Sequence, residues 1–159
     1  MLPVSRRTCL AVALIALSPL PVRLAAADDV TLGALTIQHP WSRATAGAAK
    51  SGALYLTVRN NGAEADRLTG VSTAISAKAE LHLSTMDGDV MTMRQTEAVE
   101  VPAGGSAAFE PKGAHIMLVG LKEPLKKGER FKAILHFANA GDVEIDVTVQ
   151  GIADMAPEQ

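Results

Sequence analysis

An all-β Greek-key β-sandwich is the fold this sequence predicts, and three observations predict it. Short stretches of alternating apolar and polar residues run from residue 30 to residue 150. Turn-forming residues interrupt them about every 8 to 12 positions. No apolar repeat of helical period and helical length stands between them,. At 159 residues and 48% hydrophobic, the chain has the size and apolar content for one core,.

The first 27 residues read as an export signal peptide: Arg6 and Arg7, an apolar run from Cys9 through Leu17, Pro19 and Pro21, then Ala25-Ala26-Ala27 before Asp28-Asp29,. Cleavage is expected after Ala27. The run is shorter than the about 20 residues a membrane-spanning helix needs and proline breaks it, so no membrane span is expected in the mature chain. Arg6-Arg7 suits a twin-arginine signal as well as an ordinary one,. Without the three arginines of this segment, 12 basic and 17 acidic side chains remain, a formal charge of −5. No nucleic-acid partner is expected of such a balance. The only cysteine, Cys9, leaves with the signal, so the exported domain, residues 28–150, has neither disulfide nor thiolate,. Residues 151–159 form a short tail.

Within the domain, Leu32, Leu35 and Ile37 mark a first strand, which His39-Pro40 is expected to end because proline cannot donate to a ladder,. Leu54, Leu56 and Val58 alternate with Tyr55, Thr57 and Arg59, and Asn60-Asn61-Gly62 then turns the chain,. Ala79, Leu81 and Leu83 share one face of a strand and Glu80 and His82 the other, so His82 is expected to point away from the core or lie at its rim,. Asp87-Gly88-Asp89 folds this strand back and brings Met91 and Met93, both on one face, toward His82. Strands over Glu97–Val101 and Ser106–Phe109 are joined by Pro102-Ala103-Gly104-Gly105, and Pro111-Lys112-Gly113 leads into a strand over Ala114–Val119. There His115 and Met117 project from one side, Ile116 and Leu118 from the other,. A lysine-rich loop with Pro124 and Gly128 reads as solvated. A strand over Phe131–Phe137, a hairpin at Asn139–Asp142 and a strand over Val143–Val149 complete the domain. His136 alternates out of the Phe131, Ala133, Leu135, Phe137 face and reads as solvated; His39, before proline and tryptophan, reads as structural.

The stretch from His82 to Met117 holds two of the four histidines and four of the six methionines. Methionine is ordinarily a flexible filler of cores, but here Met117 pairs at i, i+2 with a histidine and Met93 pairs the same way with Met91. Neutral thioether is a soft donor and imidazole a borderline one, a set that suits Cu(I) better than zinc, which favours thiolate or carboxylate. A blue-copper electron carrier is excluded, because its site needs a cysteine thiolate. An enzyme is not expected: Glu80, Asp87 and Asp89 lie close in sequence, yet no motif orders them into an acid or base. A metal-free β-sandwich that binds other proteins is the competing class, and metal analysis of the purified protein separates the two.

His82, Met93, His115 and Met117 follow the spacing H-x10-M-x21-H-x-M. In that pattern the chain resembles the periplasmic copper chaperone family, PCu(A)C. The likeness extends to HPWSRAT at 39–45, YLTVRNNG at 55–62, VPAGG at 101–105 and GLKEPLKKGE at 120–129. The resemblance implies a cupredoxin-like or immunoglobulin-like sandwich in the periplasm, with His82, Met93, His115 and Met117 as copper ligands. Met86 and Met91 match no fixed ligand position, and the place of the turn near residue 88 decides whether either stands in for Met93. It further implies a metallochaperone that delivers Cu(I) to an acceptor protein, such as the binuclear copper site of cytochrome oxidase or its assembly factors. Copper storage or copper resistance is the alternative use of such a site.

Overall fold

The computed structural model describes residues 29–157. The export signal and its cleavage after Ala27 lie outside the described residues. Eleven strands and no helix make up the described chain: β1 (Val30–Leu32), β2 (Leu35–Arg43), β3 (Ser51–Asn60), β4 (Asp66–Thr73), β5 (Ser76–Asp87), β6 (Val90–Gln95), β7 (Val99–Val101), β8 (Ser106–Phe109), β9 (Ala114–Leu121), β10 (Arg130–Phe137) and β11 (Gly141–Gln150). Hydrogen bonding runs in the order β6-β5-β9-β8-β3-β2-β11-β10-β4-β7, with β1 on β2 and a further pairing of β9 with β3. One arm of this sheet, β5-β9-β3, turns its apolar face toward the other, β11-β10-β4, across a single core. That core unites Leu54, Leu81, Ile116 and Leu118 with Leu68, Leu135, Ile145 and Val147, the all-β sandwich expected from the alternating pattern.

Alternation fixes which side chains the core takes. In register, Leu54 of β3, Ile116 of β9 and Leu81 of β5 stand abreast and are at most 4% exposed. Their sequence neighbours on either side must then face outward. Gly88, at φ 61°, and Asp89 close the tight turn between Asp87 and Val90, a backbone region that glycine enters without strain.

Three expectations need correction. His39-Pro40 does not end the first strand; β2 runs through it to Arg43. The ladder to β3 shifts register between Gln38 and Trp41, so His39 and Pro40 together oppose Leu56 as a bulge. His39 adopts φ 48°, and the interrupted ladder asks no N–H of the proline. Beyond the bulge, Trp41, Ser42 and Arg43 pair in parallel with Thr148, Val149 and Gln150 of β11. Second, β4 was not expected: Gly70 interrupts its pattern, and Leu68 and Val71 are its only buried apolar side chains. Third, His136 is not simply solvated. Its Nε2 lies 2.7 Å from Ser72 Oγ and its Nδ1 2.8 Å from Asp142 Oδ1, so it ties β4, β10 and β11 together on their outer face.

Candidate metal centre

Strand β9 lies between β3 and β5, and its outward row carries His115 and Met117. Cross-strand partners share a face, so the register assembles the site. Met117 stands between Ala53 and Glu80; His115 stands opposite His82, which in turn faces Gln95 of β6. Two residues further along, Ser84 faces Met93, and beyond that Met86 faces Met91. Both histidines, Met93 and Met117 therefore occupy one side of the sheet, the side away from Leu81 and Ile116.

The two imidazoles are neighbours, with centroids 5.7 Å apart and planes tilted by 44°. His115 is buried, and its Nδ1 donates to the Gly113 carbonyl at 3.2 Å. That bond leaves Nε2 for another partner. His82 is less covered, its side chain 16% exposed. Its Nε2 lies 3.2 Å from Glu80 Oε2, while its Nδ1 is buried with no hydrogen-bond partner among the described residues. A buried ring nitrogen without a partner is costly unless something binds it.

Beside the histidines opens a cavity of about 560 Å³ whose wall includes His115, Met117, Met93, Met91, Met155 and Tyr55. His82 lies next to His115 but is not part of that wall. Met93 and Met91 reach it from β6, where they are 59% and 42% exposed. Met86 pairs with Met91 at the hairpin tip and is 61% exposed, without lining the cavity. Of the two alternatives to Met93, the structure brings Met91 to the cavity and leaves Met86 outside.

Sequence placed Glu80 on the face of His82 without giving it a part in the site, and it gave no signal for Met155, which lies in the tail. Arg43 brings it in: the guanidinium donates through Nε to the Asp154 carbonyl at 2.7 Å and through Nη2 to the Met155 sulfur at 2.7 Å. The tail is turned for this by Gly151 N–H donating to Asp154 Oδ2 at 2.6 Å. Arg43 also lies over the Tyr55 ring at 5.7 Å, and Tyr55 packs on Trp41 at 4.7 Å. Burial raises the Tyr55 hydroxyl above the usual phenol range, and the Arg43 charge opposes that rise,.

The donors gathered here are two imidazoles and several thioethers. Thioether sulfur beside imidazole is a donor set that fits a soft cation.

Comparison with known proteins agrees with this description. Solved PCuAC domains share the fold. The copper-bound PCuAC domain from PmoF2 is 27% identical with a TM-score of 0.69, covering 78% of this chain and 98% of its own. The apo PmoF2 PCuAC domain is 28% identical with a TM-score of 0.69, covering 80% and 98%. The solution structure of Cu(I)-DR1885 from Deinococcus radiodurans is 26% identical with a TM-score of 0.60, covering 72% and 76%. The all-β chain is thus a domain of PCuAC type. The LpqE-like family model, which describes lipoproteins, matches residues 35–149. A protein of Leifsonia xyli subsp. xyli that bears a lipoprotein's name is 30% identical over 112 residues, 69% of this chain and 68% of its own. The chain belongs to the LpqE-like family.

Proposed function

We propose that this protein binds one Cu(I) through His82, Met93, His115 and Met117 and passes it to an acceptor protein, acting as a metallochaperone rather than an enzyme. The observation that carries the reading is the row on β9: His115 and Met117 project together from a central strand, His82 stands in register beside them, and the β6 thioethers face the same cavity. Similar solved PCuAC domains, PmoF2 and DR1885, are described as holding copper. The acceptor we propose is the binuclear copper site of cytochrome oxidase or its assembly factors, and the compartment the periplasm. Release follows from the donor set. Neutral imidazole and thioether leave the ion its positive charge, so an acceptor offering thiolates gains by taking it. Export rests on the first 27 residues. Their apolar run is followed by Ala25-Ala26-Ala27, so we propose cleavage near Ala27.

The test is Cu(I) loading under reducing conditions followed by X-ray absorption on the copper edge. One ion per chain with both sulfur and nitrogen neighbours is expected. An ion surrounded by nitrogen and oxygen alone, or no Cu(I) retained against a competing chelator, overturns the reading. Intact mass of the periplasmic protein checks export: a chain beginning at or near Asp28 is expected, and one that keeps Met1 or Cys9 refutes it.

A further inference from the structure

We propose that Glu80 is a positioning residue of this centre: its carboxylate holds the His82 imidazole as the Nε2–H tautomer, so that His82 offers the ion its buried Nδ1. The proposal rests on the copper-binding reading and adds to it a residue outside the four-ligand pattern, together with the identity of the donating nitrogen.

The argument starts from hydrogen-bond capacity. An ionised carboxylate can only accept, and a neutral imidazole carries a single N–H. With Glu80 Oε2 at 3.2 Å from His82 Nε2, that N–H belongs to Nε2, and Nδ1 is left as a bare lone pair. The structure shows Nδ1 in just that condition, buried and without a partner among the described residues. An exposed carboxylate–histidine pair would not leave such an atom behind. His82 here is more enclosed than Glu80, at 16% against 26% side-chain exposure, so the pair points its open end toward solvent and its unpaired nitrogen inward.

The strand dictates the contact. Glu80 and His82 are two apart on β5 and share its outer face, while Glu80 also stands opposite Met117 of β9. The carboxylate therefore lies beside two proposed ligands at once and puts a negative charge next to a monovalent cation bound by neutral donors. His115 reaches the equivalent condition by another route. Its Nδ1 is spent on the Gly113 carbonyl, so Nε2 is the nitrogen it offers. The two histidines accordingly bind through unlike nitrogens, Nδ1 from His82 and Nε2 from His115. Groups that hold the far nitrogen of a ligating histidine fix its tautomer and orientation, and their loss typically weakens metal binding 10- to 100-fold.

Long-range proton–nitrogen NMR of the imidazoles in the metal-free protein tests the first half of this. As neutral imidazoles, His82 should carry its proton on Nε2 and His115 on Nδ1. In Glu80→Leu, which cannot accept, the His82 nitrogens should shift toward a tautomer mixture and those of His115 should not. Competition against a Cu(I) chelator tests the second half. Glu80→Leu should weaken binding about 10- to 100-fold, and Glu80→Gln, whose amide oxygen still accepts, should recover part of that. In a His82→Ala background Glu80→Leu should have a much smaller effect, since only the charge beside Met117 is then lost. A wild-type His82 protonated on Nδ1 overturns the proposal, as does an equal loss from Glu80→Leu with and without His82. Absence of Cu(I) binding by the wild type would instead overturn the copper reading itself, and the metal-free NMR result tells the two failures apart.

Discussion

Replacing Met117 by leucine separates a donor from a piece of packing. Met117 is half-buried between Ala53 and Glu80 on the outer side of β9, and leucine nearly conserves its volume while removing the sulfur. Swaps of this kind usually cost less than about 1.5 kcal/mol, a fall in Tm of no more than about 6 °C for a domain of this size. The effect on Cu(I) should be larger. Losing an outer partner of a ligand already costs about 10- to 100-fold, so losing the donor itself should reach the upper end, about 100-fold or ~2.7 kcal/mol. The neighbouring Ile116, fully buried on the opposite side, supplies the control: Ile116→Val should cost about 0.5–1.5 kcal/mol of stability and leave Cu(I) affinity unchanged. Thermal melts and chelator competition on the same samples give both numbers. A folded Met117→Leu protein that binds Cu(I) as tightly as the wild type would remove Met117 from the site.

Ile116→Ala, which empties the middle of the Leu54–Ile116–Leu81 row, should lower unfolding free energy by about 3 kcal/mol in a urea titration; a loss under ~1 kcal/mol would mean the row is not the packed centre it forms here. His136→Ala should leave Cu(I) affinity untouched and cost about 1 kcal/mol through its bonds to Ser72 and Asp142,, and an affinity change matching that of Met117→Leu would contradict the ligand assignment. Tyr55 is the only tyrosine, so the ultraviolet phenolate band reports it alone. Burial favours its neutral form, so the folded protein should hold the proton above the ordinary phenol value of 10.0. The stability this gives is present below that pH and is lost as pH rises through the folded value. A phenolate midpoint at or under 10 would refute the burial argument.

Period-two alternation made much of the site readable from sequence. It put Glu80 with His82, Met91 with Met93 and His115 with Met117, and each pair shares a face in the structure. The tight turn at Gly88 was legible because its residues tolerate positive φ,. What alternation could not give was register between distant strands, which is what places His82 opposite His115. The bulge at His39-Pro40 escaped for a related reason: proline forbids a ladder bond, but a bulge removes the need for one, and only the partner strand decides which occurs. Met155 was illegible because the tail's path depends on Arg43, 112 residues earlier in the chain. The Ser72 and Asp142 contacts of His136 likewise join three strands that no local pattern connects.

The β5–β6 hairpin has a kinetic consequence. All six residues of β6 are exposed, and its sole ladder is to β5 at the rim of the sheet, whereas β9 is hydrogen-bonded on both sides through the middle of the molecule. Segments with few buried contacts detach at a small fraction of the global unfolding free energy. On the proposed ligand set, the ion is held between a wall that yields only with the whole domain and a flap that peels away by itself. Dissociation then begins at Met93 while His115 and Met117 keep their hold, and a second protein can insert its own donor into the vacated position without any unfolding. Amide exchange along β6 should accordingly slow on loading with copper while that of β9 stays as it was.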